Sequence, residues 1–160
     1  MKRILTIITL SLLAWSLQGQ DILKKIGTDR ITCAYTYETS GSVKVKTAGE
    51  AVLQGSCYRI DVNGMRLYCD GETLWTVDPS TREVYIEKAE KVDFIREFLA
   101  NSRDVTYGQN TVKGTFVDPS DGVDIAFELS DITFEPATGD LSAFRFSADG
   151  AADYIITDLR

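Results

Sequence analysis

Three groups of side chains in this sequence could carry chemistry. The first is acidic: Asp118, Asp121 and Asp124 stand close together around a Pro-Ser and a Gly. Carboxylates so placed invite a calcium ion, but the spacing lacks the D-x-[DN]-x-[DN]-G register of an EF-hand loop. Asp-Pro followed by Asp-Gly is ordinary turn composition. The second group is the thiols Cys33, Cys57 and Cys69. Their odd number leaves at least one outside any disulfide within the chain, and their spacing matches no zinc pattern. They read as small buried residues. The third group is the acids at large. Two carboxylates can serve a glycosidase, yet nearly every acid here falls in a turn or on the polar side of an alternating strand. The sequence has no histidine, which removes Ser-His and Cys-His dyads and the commonest metal ligand together. No G-x-S-x-G elbow, P-loop or G-x-G-x-x-G occurs. The expectation is a protein with no catalytic residues, no metal and no cofactor.

Residues 1–20 have the three parts of a secretory signal. Lys2 and Arg3 precede an apolar run from Ile4 to Leu13, and Ala14 to Gln20 form a polar exit. The run is shorter than the roughly 20 residues a membrane-spanning helix needs, so removal is expected, after Ser16, Gly19 or Gln20. No cysteine precedes Cys33, so the exit cannot be lipidated. Residues 21–160 are then a single domain, a size that suits one core. The formal net charge is -7, and loss of Lys2 and Arg3 makes the remainder more acidic still. Such a surface repels phosphate backbones, which excludes nucleic acid as a partner.

The elements around these residues are mostly strands. Asp21 to Gly27 reads as a short helix with Ile22, Leu23 and Ile26 on one face. From Ile31 the apolar period becomes two: Ile31, Cys33, Tyr35 and Tyr37 alternate with Thr32, Ala34 and Thr36. Asn63-Gly64 is a strong two-residue hairpin signal. It sets Val62 against Met65, Ile60 against Leu67 and Tyr58 against Cys69 on one face, and Asp61 against Arg66 on the other. Cys57 and Cys69 then lie on opposite faces. Thr73 to Val77 and Arg82 to Ile86 flank Asp78-Pro79-Ser80-Thr81, with Trp75, Val77, Val84 and Ile86 sharing a face. Ala89 to Ser102 breaks the alternation, because Val92, Ile95 and Leu99 recur at helical spacing beside Phe94 and Phe98. Strands return at Val112 to Val117, Val123 to Leu129, Ile132 to Glu135, Leu141 to Phe146 and Tyr154 to Asp158. The fold class is mainly β, a meandering antiparallel sheet, curled or closed.

The stretch Tyr68-Cys69-Asp70-Gly71-Glu72-Thr73-Leu74-Trp75-Thr76-Val77-Asp78-Pro79, with Arg82 to Ile86 after it, resembles the signature hairpin of the periplasmic outer-membrane lipoprotein carriers, the LolA-like family. Gly49 to Leu53 and Tyr58-Arg59-Ile60 are similar to the two strands before it, and Ala152 to Arg160 suits the Bacteroidetes-type branch. The resemblance implies an unclosed antiparallel β-barrel, a curved sheet with a few lid helices over its concave apolar face. It implies a soluble periplasmic carrier, acting as a monomer, that binds the acyl chains of lipoproteins. Its partners would be those acylated lipoproteins, an inner-membrane release complex and an outer-membrane acceptor. The alternative is an envelope sensor or scaffold on the same fold that binds a lipid or a protein.

On this reading the apolar face comprises Tyr35, Tyr37, Tyr58, Ile60, Leu67, Trp75, Phe116, Ile125, Phe127, Phe144 and Phe146. The lid comprises Ile22, Ile26, Ile95, Phe98 and Leu99. One departure stands out. The better-known carriers have Lys-Arg-Pro at the end of the second strand, where the arginine helps to hold the lid, and this chain has Gln54-Gly55-Ser56. That latch does not transfer.

Overall fold

The computed structural model describes residues 21–40, 44–91, 93–117, 122–149 and 151–160. The signal-peptide expectation for residues 1–20 lies outside them, as do Val92 and the Asp118 to Asp121 part of the acidic turn. Among the described residues ten strands make one sheet: β1 (Asp29–Thr39), β2 (Lys46–Gln54), β3 (Cys57–Val62), β4 (Met65–Asp70), β5 (Thr73–Asp78), β6 (Glu83–Lys88), β7 (Ser102–Tyr107), β8 (Val112–Val117), β9 (Asp124–Pro136) and β10 (Ile155–Asp158). Their spatial order is β10-β6-β5-β4-β3-β2-β1-β9-β8-β7. The sheet is curved and unclosed, with β10 and β7 as its edges. Among the described residues two short helices accompany it, α1 at residues 21–25 and α2 (Phe94–Ala100).

The turns set the register. Asn63 and Gly64 have φ of 51° and 81°, the left-handed pair that a type I′ hairpin requires. Val62 therefore faces Met65, Ile60 faces Leu67 and Tyr58 faces Cys69, as the spacing predicts. Asp61 meets Arg66 at 3.5 Å on the other side. At the next turn the Asp70 carboxylate accepts from the backbone N–H of Glu72 and Thr73 at 3.1 and 2.9 Å. Tyr68 consequently pairs with Trp75, and Cys69 with Leu74.

Two β-bulges keep the apolar residues on one face where the alternation slips. In β9, Phe127 and Leu129 are odd-numbered and Ile132 and Phe134 even-numbered. Asp131 sits between them at φ 52°, and the pairing with β1 shifts at Thr32/Ala34. The extra residue restores the phase. Val123 to Leu129 and Ile132 to Glu135, expected as two strands, are therefore parts of one. A second bulge at Asp104, φ 53°, does the same in β7. That polar strand, Ser-Arg-Asp-Val-Thr-Tyr, has no steady alternation and is not visible as a strand in the sequence.

Three expectations need correction. The interior helix is only Phe94–Ala100, because Asp93 caps it through the Arg96 N–H at 3.2 Å and Ser102 already belongs to β7. Leu141 to Phe146 is not a strand: a 3-10 turn at Ser142–Phe144 packs across β3 and β4. The sheet is also not wholly antiparallel, since β10 runs parallel to β6. After β9 the chain returns across the sheet instead of turning back in a hairpin, and Gln54 secures that return. Its Nε2 donates to Thr138 O at 2.8 Å, and its Oε1 accepts from Thr138 N–H at 3.2 Å.

The Tyr35 ring lies over Gly49 so that its hydroxyl can donate to Asp61 O at 2.7 Å. A Cβ at Gly49 would overlap the Asp61 carbonyl oxygen and approach Tyr35 Oη to 2.7 Å. Overpacking against fixed backbone costs about 1–3 kcal/mol. Gly49→Ala is expected to lower stability by that amount, read as a lower urea midpoint with an unchanged slope.

Candidate functional site

The pairings divide the apolar residues between two faces. On the inner face, which the helices cover, Ile22, Ile26, Ile95 and Leu99 meet Ile31, Cys33, Leu53, Val112, Phe127 and Ile132 in one buried cluster. Tyr35, Tyr37, Tyr58, Ile60, Phe98 and Phe116 are half-buried against it. Leu67 and Ile125 share that face through their partners Ile60 and Phe116, further from the helices. The structure therefore brings together all five expected lid residues and eight of the eleven expected for the apolar face.

Trp75, Phe144 and Phe146 do not belong there. Trp75 pairs with Tyr68, so it points to the outer face, opposite to Leu67. Phe146 meets the Tyr68 and Tyr154 rings there, each at 6.3 Å. Phe144 is fully buried in the 3-10 turn, with the Arg30 guanidinium 5.2 Å from its ring centre. Arg145 Nε donates to Asp70 Oδ2 at 2.8 Å. Burial pushes the Asp70 carboxyl up, but the N–H groups of Thr73 and Glu72 and the Arg145 guanidinium outweigh it and hold the carboxyl below its usual range. The return segment is thus a fixed cover for the outer face.

On the inner face, Phe98 of α2 stacks on Phe116 at 5.3 Å and meets Phe127 edge-on at 4.7 Å. Gly114 makes room for this: a Cβ there would come within 2.8 Å of the Phe127 ring. A polar contact joins the two helices: Arg96 Nη2 donates to Ile26 O at 3.3 Å while Nε stands 3.5 Å from the Asp93 carboxylate. Gly27 leaves space for that guanidinium. Arg96 was not among the expected residues, and its only sequence signal is its place three residues after a helix-capping aspartate.

The space enclosed by Ile22, Ile26, Ile31, Leu53, Ile95 and Leu99 is about 10 Å³, at most room for one water. Side chains fill the inner face under the helices. Beyond them it runs on across Tyr58, Ile60, Leu67 and Leu74, half-buried, to the exposed Met65.

The thiol and hydroxyl groups of this face are held in their neutral forms. Burial pushes the Tyr58 hydroxyl up to about 12 and the Cys33 thiol up to about 11. Burial likewise raises Cys57 and Cys69, and all three thiols are free. Of the three aspartates near the last turn, Asp124 pairs with Arg103 at 2.9 Å. Among the described residues no three His, Cys, Asp or Glu side chains group to hold a metal.

No family model matches this chain, and no curated protein does. Solved structures do match it. One is an uncharacterized conserved protein from Thermus thermophilus, 10% identical, with a TM-score of 0.50, covering 88% of this chain and 98% of that one. The likeness is one of fold.

Cys33 reports on the cover. A thiol with a pKa near 11 is about one part in a thousand thiolate at pH 8, and the thiolate is the reactive form. Labelling of Cys33 by a maleimide, followed by peptide mass spectrometry, is expected to be slow in the native protein. Phe98→Ala, which removes the aromatic anchor of α2, should speed it at least about tenfold and lower stability by about 2–4 kcal/mol.

Proposed function

We propose that this protein carries an acyl chain on the inner face of its sheet, with α1 and α2 as a displaceable cover. In the cell it would be a soluble periplasmic carrier of acylated lipoproteins, handing them on toward the outer membrane. The observation that carries this reading is the pairing of a large apolar sheet face with two short helices that rest on it mainly through apolar side chains. The sheet's open half, from Tyr58 to Met65, offers a chain its first contact beside the helices.

The energies support an exchange. Each methylene removed from water is worth about 0.8 kcal/mol, so a long acyl chain brings on the order of 10 kcal/mol. The cover's five side chains, Ile22, Ile26, Ile95, Phe98 and Leu99, contribute about 1.5–3 kcal/mol each. A chain that displaces them recovers most of what lifting them costs. Loading and release are therefore close to balance, as a shuttle requires. The contact between Arg96 and Ile26 does what the missing arginine at the end of β2 does in the resembling family, from the helix side instead of the sheet.

The second reading, a scaffold that binds a protein partner, is favoured by the fullness of the inner face. One measurement separates the two. The native protein should quench or enhance a fluorescent fatty-acid probe at micromolar concentration. Leu67→Glu, on the half-exposed part of the face, should weaken that binding at least about tenfold with little change in thermal midpoint, since the carboxylate finds water there. A native chain that ignores the probe, or a Leu67→Glu variant that binds as well as the native chain, speaks for the scaffold.

A further inference from the structure

The sheet ends at β10 on unused backbone groups. In its parallel ladder, Ile155 N–H donates to Arg82 O and Leu159 N–H to Ile86 O, both at 2.8 Å. A strand in a parallel pair turns both backbone groups of alternate residues toward the neighbour. Ile155, Thr157 and Leu159 therefore bond inward, and Ile156 and Asp158 present N–H and C=O outward. Among the described residues no strand lies beyond them. The opposite edge is blunted, because β7 carries the bulge at Asp104, a common protection against edge pairing. β10 is a short strand of four residues and has no bulge. It exposes Ile155, Ile156 and Leu159 by 64%, 48% and 60%.

We propose that β10 pairs antiparallel with β10 of a second copy of this chain, about a two-fold axis through Thr157, in place of the monomer expected from the sequence. Only outward-facing residues can exchange hydrogen bonds, so the copies must align with one of these opposite another. Setting Ile156 opposite Ile156 would put Ile155 against Thr157 and Leu159 against Asp153, so neither of the two most exposed apolar side chains would meet an apolar partner. Setting Ile156 opposite Asp158 puts Thr157 against Thr157 and Ile155 against Leu159, in the close non-hydrogen-bonded positions where side chains interact best. The two most exposed apolar side chains of the strand then cover each other, twice. At each end Arg160 comes beside Tyr154 of the other copy; its guanidinium is already held by Asp158 of its own chain at 2.7 Å, and Asp153 stands 3.6 Å from Arg82, so the apolar pairs and the backbone hydrogen bonds carry the contact.

A two-fold contact of this kind closes on itself and does not propagate. It is small, so the association is weak and reversible. Ile155 and Leu159 share the face of Tyr85, which is the inner one. The pairing thus joins the inner faces of two copies edge to edge.

Sedimentation equilibrium between about 5 and about 500 µM is expected to show a reversible dimer. Ile156→Pro removes an outward N–H while leaving the ladder to β6 intact, and should weaken the dimer about tenfold or more with an unchanged thermal midpoint. The register has its own test. Facing residues at Thr157 would have Cα atoms about 4.5 Å apart, within disulfide reach. Thr157→Cys should oxidise to a covalent dimer and Ile156→Cys should not. A native chain that stays monomeric over the whole range, or an Ile156→Pro dimer as tight as the native one, overturns the pairing. Equal cross-linking at the two positions overturns the register.

Discussion

A seven-residue helix has no stability of its own in water, so α2 exists only where its apolar side is buried. What buries it is the slot between Phe116 and Phe127, and that slot exists because Gly114 has no side chain to fill it. The remaining inner-face architecture hangs on this contact. Phe98 in the slot places Ile95 and Leu99 over Ile31 and Cys33, and it places Arg96 where it reaches the carbonyl that ends α1. An unclosed sheet must cover its apolar faces, and on the inner one two marginal helices do so jointly.

The outer face is solved by different means. There the cover is the return segment, held by Gln54, by the Arg145–Asp70 ion pair and by a buried Phe144. Each tie combines a charge-assisted or amide hydrogen bond with apolar burial, so this side resists opening more than the inner one does. One sheet thus has two covers of different build. The difference lies in kind: the return is held by side-chain hydrogen bonds and an ion pair to the sheet, and the helices mainly by the apolar contacts of Ile22, Ile26, Ile95, Phe98 and Leu99.

Much of this was legible in the sequence. Asn63-Gly64 dictated its hairpin completely, because the turn fixes register and register fixes faces. The lid residues emerged from the switch between periods of two and 3.6. The placement of Trp75 was also within reach: a two-residue turn at Gly71-Glu72 sets it opposite Tyr68, which the first hairpin had already put on the outer face. Phe144 and Phe146 were not legible, because their faces depend on the return across the sheet, a long-range event with no local periodicity. The strand β7 was hidden by its bulge, and the junction in β9 looked like a break for the same reason. Arg96 carried no distinctive pattern, since its partner is a backbone carbonyl on another element.

The position of β1 at the middle of the sheet has a consequence for how the chain is assembled. Its neighbours are β2, close in sequence, and β9, so distant that Thr133 Oγ1 donates to the Thr32 carbonyl across a separation of 101 residues. Until β9 has been made, one edge of β1 is open, and Ile31, Cys33, Tyr35 and Tyr37 face solvent. Contacts of such long range slow folding, because loop closure precedes any reward. A chain made from its N-terminus onward passes through this state every time, with β1 among the first strands out and one of its edges unpaired until β9 follows.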